Sequence, residues 1–441
     1  DRPPDRGARM RGAGARGARV ALSVPLALLL GLAAGLFVRP CEPAPSEGRS
    51  TTAYEAAVAL AAADAAAWRR VPGAAQRPGR LLSRRPAGET SRVAGARRAL
   101  EVRYSTTDRR GRVVPASGLV LLPSQRRADA PLVVYGHMTT GAADGCAPTQ
   151  GTPDSTELRR MQQGDRVAEL LLAGGAVVAR PDYEGLGVRG PHPYLRGDSL
   201  ARAMGDMARA VRRAFPEVGR DWVAAGHSEG GVAALNTGSR TGPAAGIPGL
   251  LGVAAITPVT QVDILATLLG DAPVATTPVN VVVSLAALIL KGQATEDRAL
   301  RRLLLKQGGL SPEAVALWPD LERLCLEDLG GTDSWGGLSP QQVKGRRGDE
   351  ALEEMKNGLR ADDVRHLRMR LDLPIRIDAG ALDSVAPLPL TMQLAEEYRS
   401  RGYPVELAVW PAEHSPTADQ AAPELAAWIL DLFDDTTGGT R

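Results

Sequence analysis

A chain of 441 residues with 44% hydrophobic content can bury one large core plus a cap, or two domains, which excludes a disordered polymer. Its 53 basic and 50 acidic residues leave a formal charge of +3, and only 4% of its residues are aromatic. With the arginines dispersed except at the start, this excludes the concentrated basic face and the base-stacking platforms of a nucleic-acid binder.

Arg6, Arg9, Arg11, Arg16 and Arg19 precede an uncharged apolar run, Val20 to Val38, and a Pro/Ser/Gly-rich stretch follows from Cys41 to Ser50. Residues 1–50 therefore read as a signal or anchor segment with its linker. The basic start and apolar centre suit a cleaved secretory signal, while the length of the run suits an uncleaved membrane anchor at residues 20–38. A lipoprotein site at Cys41 is disfavoured, because Val38-Arg39-Pro40 lacks the small residues that such a site requires. Each of these readings places the body of the chain outside the cytoplasm, secreted or membrane-anchored. Cysteine usage agrees: Cys41, Cys146 and Cys325 form no CxxC or His/Cys cluster, so no zinc site is expected. After export Cys146 and Cys325 would pair, the alternative being two buried free thiols.

Further along, Ala53 to Arg69 is Ala-rich and helical, and Pro72 to Arg85 reads as a loop. Ala99 to Ser105 and Val113 to Leu122, joined by the turn Asp108-Arg-Arg-Gly111, predict a β-hairpin that opens a sheet. Short apolar runs follow at Pro131–Tyr135, Gly175–Ala179, Trp222–Ala225, Leu251–Ile256, Pro374–Ile377 and Val405–Trp410. Helical stretches such as Ser155–Leu172 and Leu200–Phe215 separate most of them. Strands buried on both faces with helical crossovers predict an α/β fold with a mainly parallel sheet. Between Gln261 and Arg370 no buried strand is evident, while Val262–Leu269, Val281–Lys291 and Glu296–Lys306 are helix-like. The expected organisation is a core over 51–260, an inserted helical cap over 261–370, the rest of the core over 371–435 and a tail over 436–441. Within the cap, Val281 to Leu290 is too short to span a membrane and either packs in the cap core or lines an acyl pocket.

The chemistry centres on Asp221-Trp-Val-Ala-Ala-Gly-His-Ser-Glu-Gly-Gly231, a strand that ends in GHSEGG and runs into a helix. A serine hydroxyl becomes a usable nucleophile when a sharp strand-to-helix turn pushes it out of the sheet, which makes Ser228 the candidate. A serine nucleophile needs a histidine base and a carboxylate to orient it. His227 sits beside the serine, His192 in a Pro-His-Pro loop, His366 in a charged helix and His137 directly after a strand. His414, just past the last strand, lies where parallel sheets gather their chemistry. For the carboxylate, Asp383 follows a Gly-containing turn, whereas Asp378 lies at the strand end, so Asp383 is preferred. Ser, Asp and His in this chain order match the α/β-hydrolase arrangement. An oxyanion hole would use the backbone N–H of Glu229 together with that of Thr139, or alternatively Met138, from the loop Gly136-His-Met-Thr-Thr-Gly141.

Together GHSEGG, Arg180-Pro-Asp-Tyr-Glu-Gly-Leu-Gly187, Gly190-Pro-His-Pro-Tyr194, the YGHMTTG loop leading into Cys146-Ala-Pro, and the Asp383 and His414 segments resemble the secretory lipase family of α/β-hydrolases. The resemblance runs from about Leu100 to Leu432. It implies an inserted cap, carboxylic-ester hydrolysis without a cofactor, Ser228, Asp383 and His414 as triad, and a disulfide from Cys146. It gives Asp182 and Glu184 a supporting role under the site and no catalytic one. The chain departs from the family in carrying Met138 where relatives have glycine, and a Cβ there would constrain the oxyanion turn. The expected activity is a lipase or esterase acting on a small ester or lipid through an acyl-enzyme. The alternatives are a serine peptidase or acyltransferase on the same fold, and an inactive hydrolase-like binding protein. The sequence carries no indication of oligomeric state.

Overall fold

The computed structural model describes residues 77–125, 127–270 and 279–438, all within the compact unit Ala53–Arg441. The signal or anchor segment, Cys41, the helix expected at Ala53–Arg69 and the last three residues of the tail lie outside the described residues. Among the described residues no helix is long and apolar enough to cross a membrane.

Among the described residues nine strands form one sheet: β1 (Leu81–Pro86), β2 (Ala96–Thr107), β3 (Val113–Pro123), β4 (Ala130–Gly136), β5 (Val177–Tyr183), β6 (Val218–His227), β7 (Leu250–Ile256), β8 (Ile375–Gly380) and β9 (Val405–Trp410). Their spatial order is β1-β2-β3-β5-β4-β6-β7-β8-β9. The first three pair antiparallel, β3 meets β5 antiparallel, and every pairing from β5 through β4 to β9 is parallel. The expected hairpin is β2–β3, its turn closed by the Asp108 carboxylate, which accepts from the amides of Arg110 and Arg112 at 2.9 Å each.

Alternation along the central strands explains their unbroken apolar character. Leu132 and Val134 face one core with Trp222 and Ala224, while Val133 and Tyr135 face the other with Val223 and Ala225. The first core is covered by α2 (Gly197–Ala214), α3 (Glu229–Gly238) and α8 (Leu388–Ser400), the second by α1 (Asp165–Ala173) and α9 (Pro416–Gly438). Between β7 and β8 the described residues hold no strand of the sheet. They form α4 (Val262–Leu269), α5 (Val279–Glu296), α6 (Arg298–Lys306), α7 (Gly348–Ala361) and shorter turns of helix. This segment has an apolar core of its own around Leu288, Leu304, Leu321, Leu329 and Trp335, into which Ala142 and Tyr194 reach from loops of the sheet domain. Val283, Ala287, Leu288, Ile289 and Leu290 are buried there, so the most apolar stretch of α5 packs within the segment.

Three expectations are corrected. The stretch read as a loop up to Arg85 contains β1, which among the described residues is an edge strand with one neighbour and has four exposed residues, so it needs no apolar pattern. The helix expected over Ser155–Leu172 is broken at Gly164, whose φ of 95° leaves a single turn, Leu158–Met161, before α1. Last, β9 is an edge strand and not a strand buried on both faces; its Val409 is exposed.

Candidate active site

A sharp backbone turn joins β6 to α3. Ser228 has φ 57° and ψ −113°, a conformation that non-glycine residues rarely adopt, and it is held from both sides. Its amide donates to the Ile256 carbonyl at 2.9 Å, and its carbonyl accepts from Val232 at 3.0 Å. The turn also requires bare backbone on either side. A Cβ on Gly226 would stand 2.3 Å from the Gly230 oxygen, and one on Gly230 would stand 2.0 Å from the oxygen of Gly136. The two glycines of the motif therefore let helix, strand and the start of the next loop press together.

His414 Nε2 lies 2.8 Å from Ser228 Oγ, and its Nδ1 lies 2.7 Å from Asp383 Oδ2. All three residues are buried. Because a carboxylate accepts, Nδ1 donates to Asp383, which leaves the lone pair of Nε2 for the serine hydroxyl. The other Asp383 oxygen accepts from the amides of Val385 and Ala386 at 2.8 and 2.7 Å, so the acid is gripped by its own turn. The loops that carry acid and base follow the adjacent parallel strands β8 and β9. They are stitched together where Ala381 donates to Trp410 and Leu382 to Ala412, at 2.8 and 3.0 Å.

The competing carboxylate is committed elsewhere. Asp378 accepts two bonds from Arg376, at 2.9 and 3.0 Å, and one from the Trp410 indole at 2.9 Å. His227 turns away from Ser228 and donates from Nε2 to the His414 carbonyl at 3.1 Å. Burial, followed by the neighbouring His414, lowers its pKa to about 3, so it is a neutral prop.

Glu229 is the first residue of α3, so its amide has no acceptor within the helix and lies at the positive end of the helix field. The loop Met138–Gly141 starts where the backbone of Gly136 and His137 presses on Gly230 in the first turn of that helix. His137 Nδ1 donates to the Met138 carbonyl at 2.6 Å, Tyr183 Oη donates to the His137 carbonyl at 2.9 Å, and the hydroxyls of Thr139 and Tyr194 lie 2.8 Å apart. Burial drives the pKa of His137 down to about 4. Met138 and Thr139 are not among the residues with positive φ, so the Cβ of Met138 carries no left-handed backbone strain. The loop is also tied to the segment between β7 and β8: Gly141 bridges Cys325, and Cys325 forms a disulfide with Cys146.

Asp182 lies beneath, accepting from Ser117 Oγ and from the amide and hydroxyl of Thr149, and burial raises its pKa to about 6. Glu184 accepts from Ser199. Neither reaches Ser228. One contact had no sequence signal beyond a proline-flanked histidine: His192 Nε2 meets the Glu229 side chain at 3.2 Å. Among the described residues no group of three or more His, Cys, Asp or Glu could hold a metal ion.

No family model and no curated protein sequence matches the chain. Solved structures do. Candida antarctica lipase A in its closed state superposes with a TM-score of 0.68 at 17% identity, over 83% of this chain and 85% of that one. The rice cell wall degrading esterase LipA from Xanthomonas oryzae, in a ligand-bound form, gives a TM-score of 0.60 at 19% identity, over 83% of this chain and all of that one. With the strand order above, these likenesses establish the α/β-hydrolase fold.

Proposed function

We propose that the chain is a serine carboxylic-ester hydrolase of lipase or esterase type, acting outside the cytoplasm. The observation that carries the reading is the continuous hydrogen-bonded line Ser228–His414–Asp383, with the serine held at positive φ on the elbow. In the reaction, Ser228 Oγ attacks the ester carbonyl while its proton passes to His414 Nε2. The amides of Glu229 and Thr139, from opposite sides, receive the oxyanion. Protonated His414 then donates to the departing alkoxy oxygen, the C–O bond breaks, and the alcohol leaves. Water attacks the acyl-enzyme, giving its proton to His414, and the carboxylic acid departs as Ser228 regains its hydrogen. The helical segment between β7 and β8 acts as a cap over residues 261–370, lending its apolar helices to substrate selection. The structural neighbours, a lipase and an esterase, support the substrate class, and the disulfide supports an oxidising compartment.

A panel of p-nitrophenyl esters of increasing chain length, run on the wild type and on Ser228→Ala, tests the proposal. Turnover in the wild type should fall at least about 10⁴-fold in the variant. Equal activity in both proteins refutes the mechanism. Amide substrates and added alcohol in the same assay separate a peptidase or an acyltransferase from a hydrolase.

A further inference from the structure

The residue after the nucleophile carries a carboxyl group that the mechanism above does not use. The Glu229 side chain is 1% exposed, as is the His192 ring that it meets. Its second oxygen, Oε2, is buried without a hydrogen-bond partner among the described residues. The other face of the His192 ring fixes the protons: Nδ1 lies 2.8 Å from the Glu184 carbonyl, which only accepts, so Nδ1 carries a hydrogen. Neutral His192 would then present the Nε2 lone pair to Glu229. A carboxylate facing a lone pair, with both side chains buried, is untenable. The contact is a bond only if one further proton sits between Nε2 and Oε1, which makes the buried pair electrically neutral as a whole.

The pair belongs to a column of rings beneath both sides of the expected oxyanion hole. His137 stacks on Tyr183 at 4.4 Å, and Tyr183 and Tyr194 each lie 6.2 Å from His192, measured between ring centres. Tyr183 holds the His137 carbonyl and Tyr194 meets the Thr139 hydroxyl, so one end of the column sets the Met138–Thr139 loop. The other end is Glu229, whose own amide is the opposing donor.

Resting on the reading of Ser228 as nucleophile, we infer that Glu229 is a positioning residue: its side chain, sharing a proton with His192, fixes the Glu229 amide relative to the Thr139 amide and keeps negative charge from beneath the developing oxyanion. Replacement by leucine removes the bond and strands Nε2. Glutamine restores a donor to Nε2 without an exchangeable acid proton.

Two measurements test this. In kinetics, Glu229→Leu should lower kcat roughly 10- to 100-fold with KM within about threefold, since the donor acts on the transition state, and Glu229→Gln should recover at least tenfold of any hundredfold loss. If the wild type turns over esters in a Ser228-dependent way while Glu229→Leu keeps kcat within threefold, or loses kcat and KM together without rescue by glutamine, the positioning role is overturned and the hydrolase reading stands. The second measurement needs no activity. The chain has five histidines, so ¹⁵N-histidine labelling gives a countable set of ring signals. His192 should show two slowly exchanging downfield protons in the wild type, one at Nδ1 and one shared with Glu229, and only the first in Glu229→Gln. A wild type with only the Nδ1 proton on the ring, and no downfield proton on the Glu229 carboxyl either, overturns the inference even if no ester is ever found to react.

Discussion

The amide of Leu326 donates to the carbonyl of Thr140 at 2.9 Å, one residue from the disulfide that joins Cys325 to Cys146. The loop expected to stabilise the oxyanion is thus pinned by the segment inserted between β7 and β8. Replacing both cysteines by serine should cost roughly 2–5 kcal/mol of stability, because the bond closes a loop with a sequence separation of 179. In the fraction that remains folded, kcat should fall more than 1/KM. Urea unfolding followed by ester kinetics reads both effects, and an unchanged kcat would mean that the Leu326 bond suffices alone.

The two aspartates after Pro374 should fail in different ways. Asp383→Asn should reduce kcat by roughly four orders of magnitude with little change in Tm, since the amide favours the wrong His414 tautomer. Asp378→Asn should instead destabilise by about 3 kcal/mol, because Arg376 loses its buried counter-charge, with kcat per folded molecule within a few-fold of the wild type. Parallel thermal scans and active-site titration distinguish the two.

Gly230→Ala adds one methyl group to a helix, ordinarily a gain of about 1 kcal/mol. Here that methyl would meet the Gly136 oxygen at 2.0 Å, backbone against backbone. The expected result is a net loss of about 3 kcal/mol or more together with loss of turnover, measured by chemical denaturation and ester assay.

Glu157 provides a pH handle on the same inserted segment. Its buried carboxylate accepts from the Glu327 amide at 2.8 Å, and burial raises its pKa to about 7, against the partial opposition of that hydrogen bond. A raised carboxyl pKa means that the folded state holds the proton more tightly than the unfolded state. The corresponding stability is complete below the unfolded value near 4.5 and is lost as pH rises through about 7. Glu157→Gln should therefore flatten the decline of Tm between pH 4.5 and 7 and raise Tm at pH 8 relative to the wild type. A wild-type slope identical to that of the variant would refute the assignment.

The sheet was largely legible from residue pattern, because two-faced burial imposes unbroken apolar runs on Pro131–Tyr135 and Trp222–Ala225. β1 was not, since an exposed edge strand is free to be written Leu-Leu-Ser-Arg-Arg-Pro. At the site, strand ends and chain order were enough to single out Ser228, Asp383 and His414, which the fold brings within hydrogen-bond distance of one another. The Glu229–His192 contact was invisible for a physical reason. Its partners are 37 residues apart on elements with no shared periodicity, and the only local sign is a histidine between two prolines.

Strands β7 and β8 are neighbours, paired from Val253 opposite Ile375 to Ile256 opposite Asp378, although all of residues 257–374 intervene in sequence. The distance from Ser228 to Asp383 is therefore set by the sheet and not by whatever fills the excursion between them. On the proposed function, descendants of such a chain can lengthen, shorten or rewrite the excursion, and so change which esters are accepted, without disturbing the reacting atoms. Heredity of chemistry and heredity of taste are separable here, apart from the strut at Thr140, Leu326 and the disulfide, which any viable rewriting has to keep or replace.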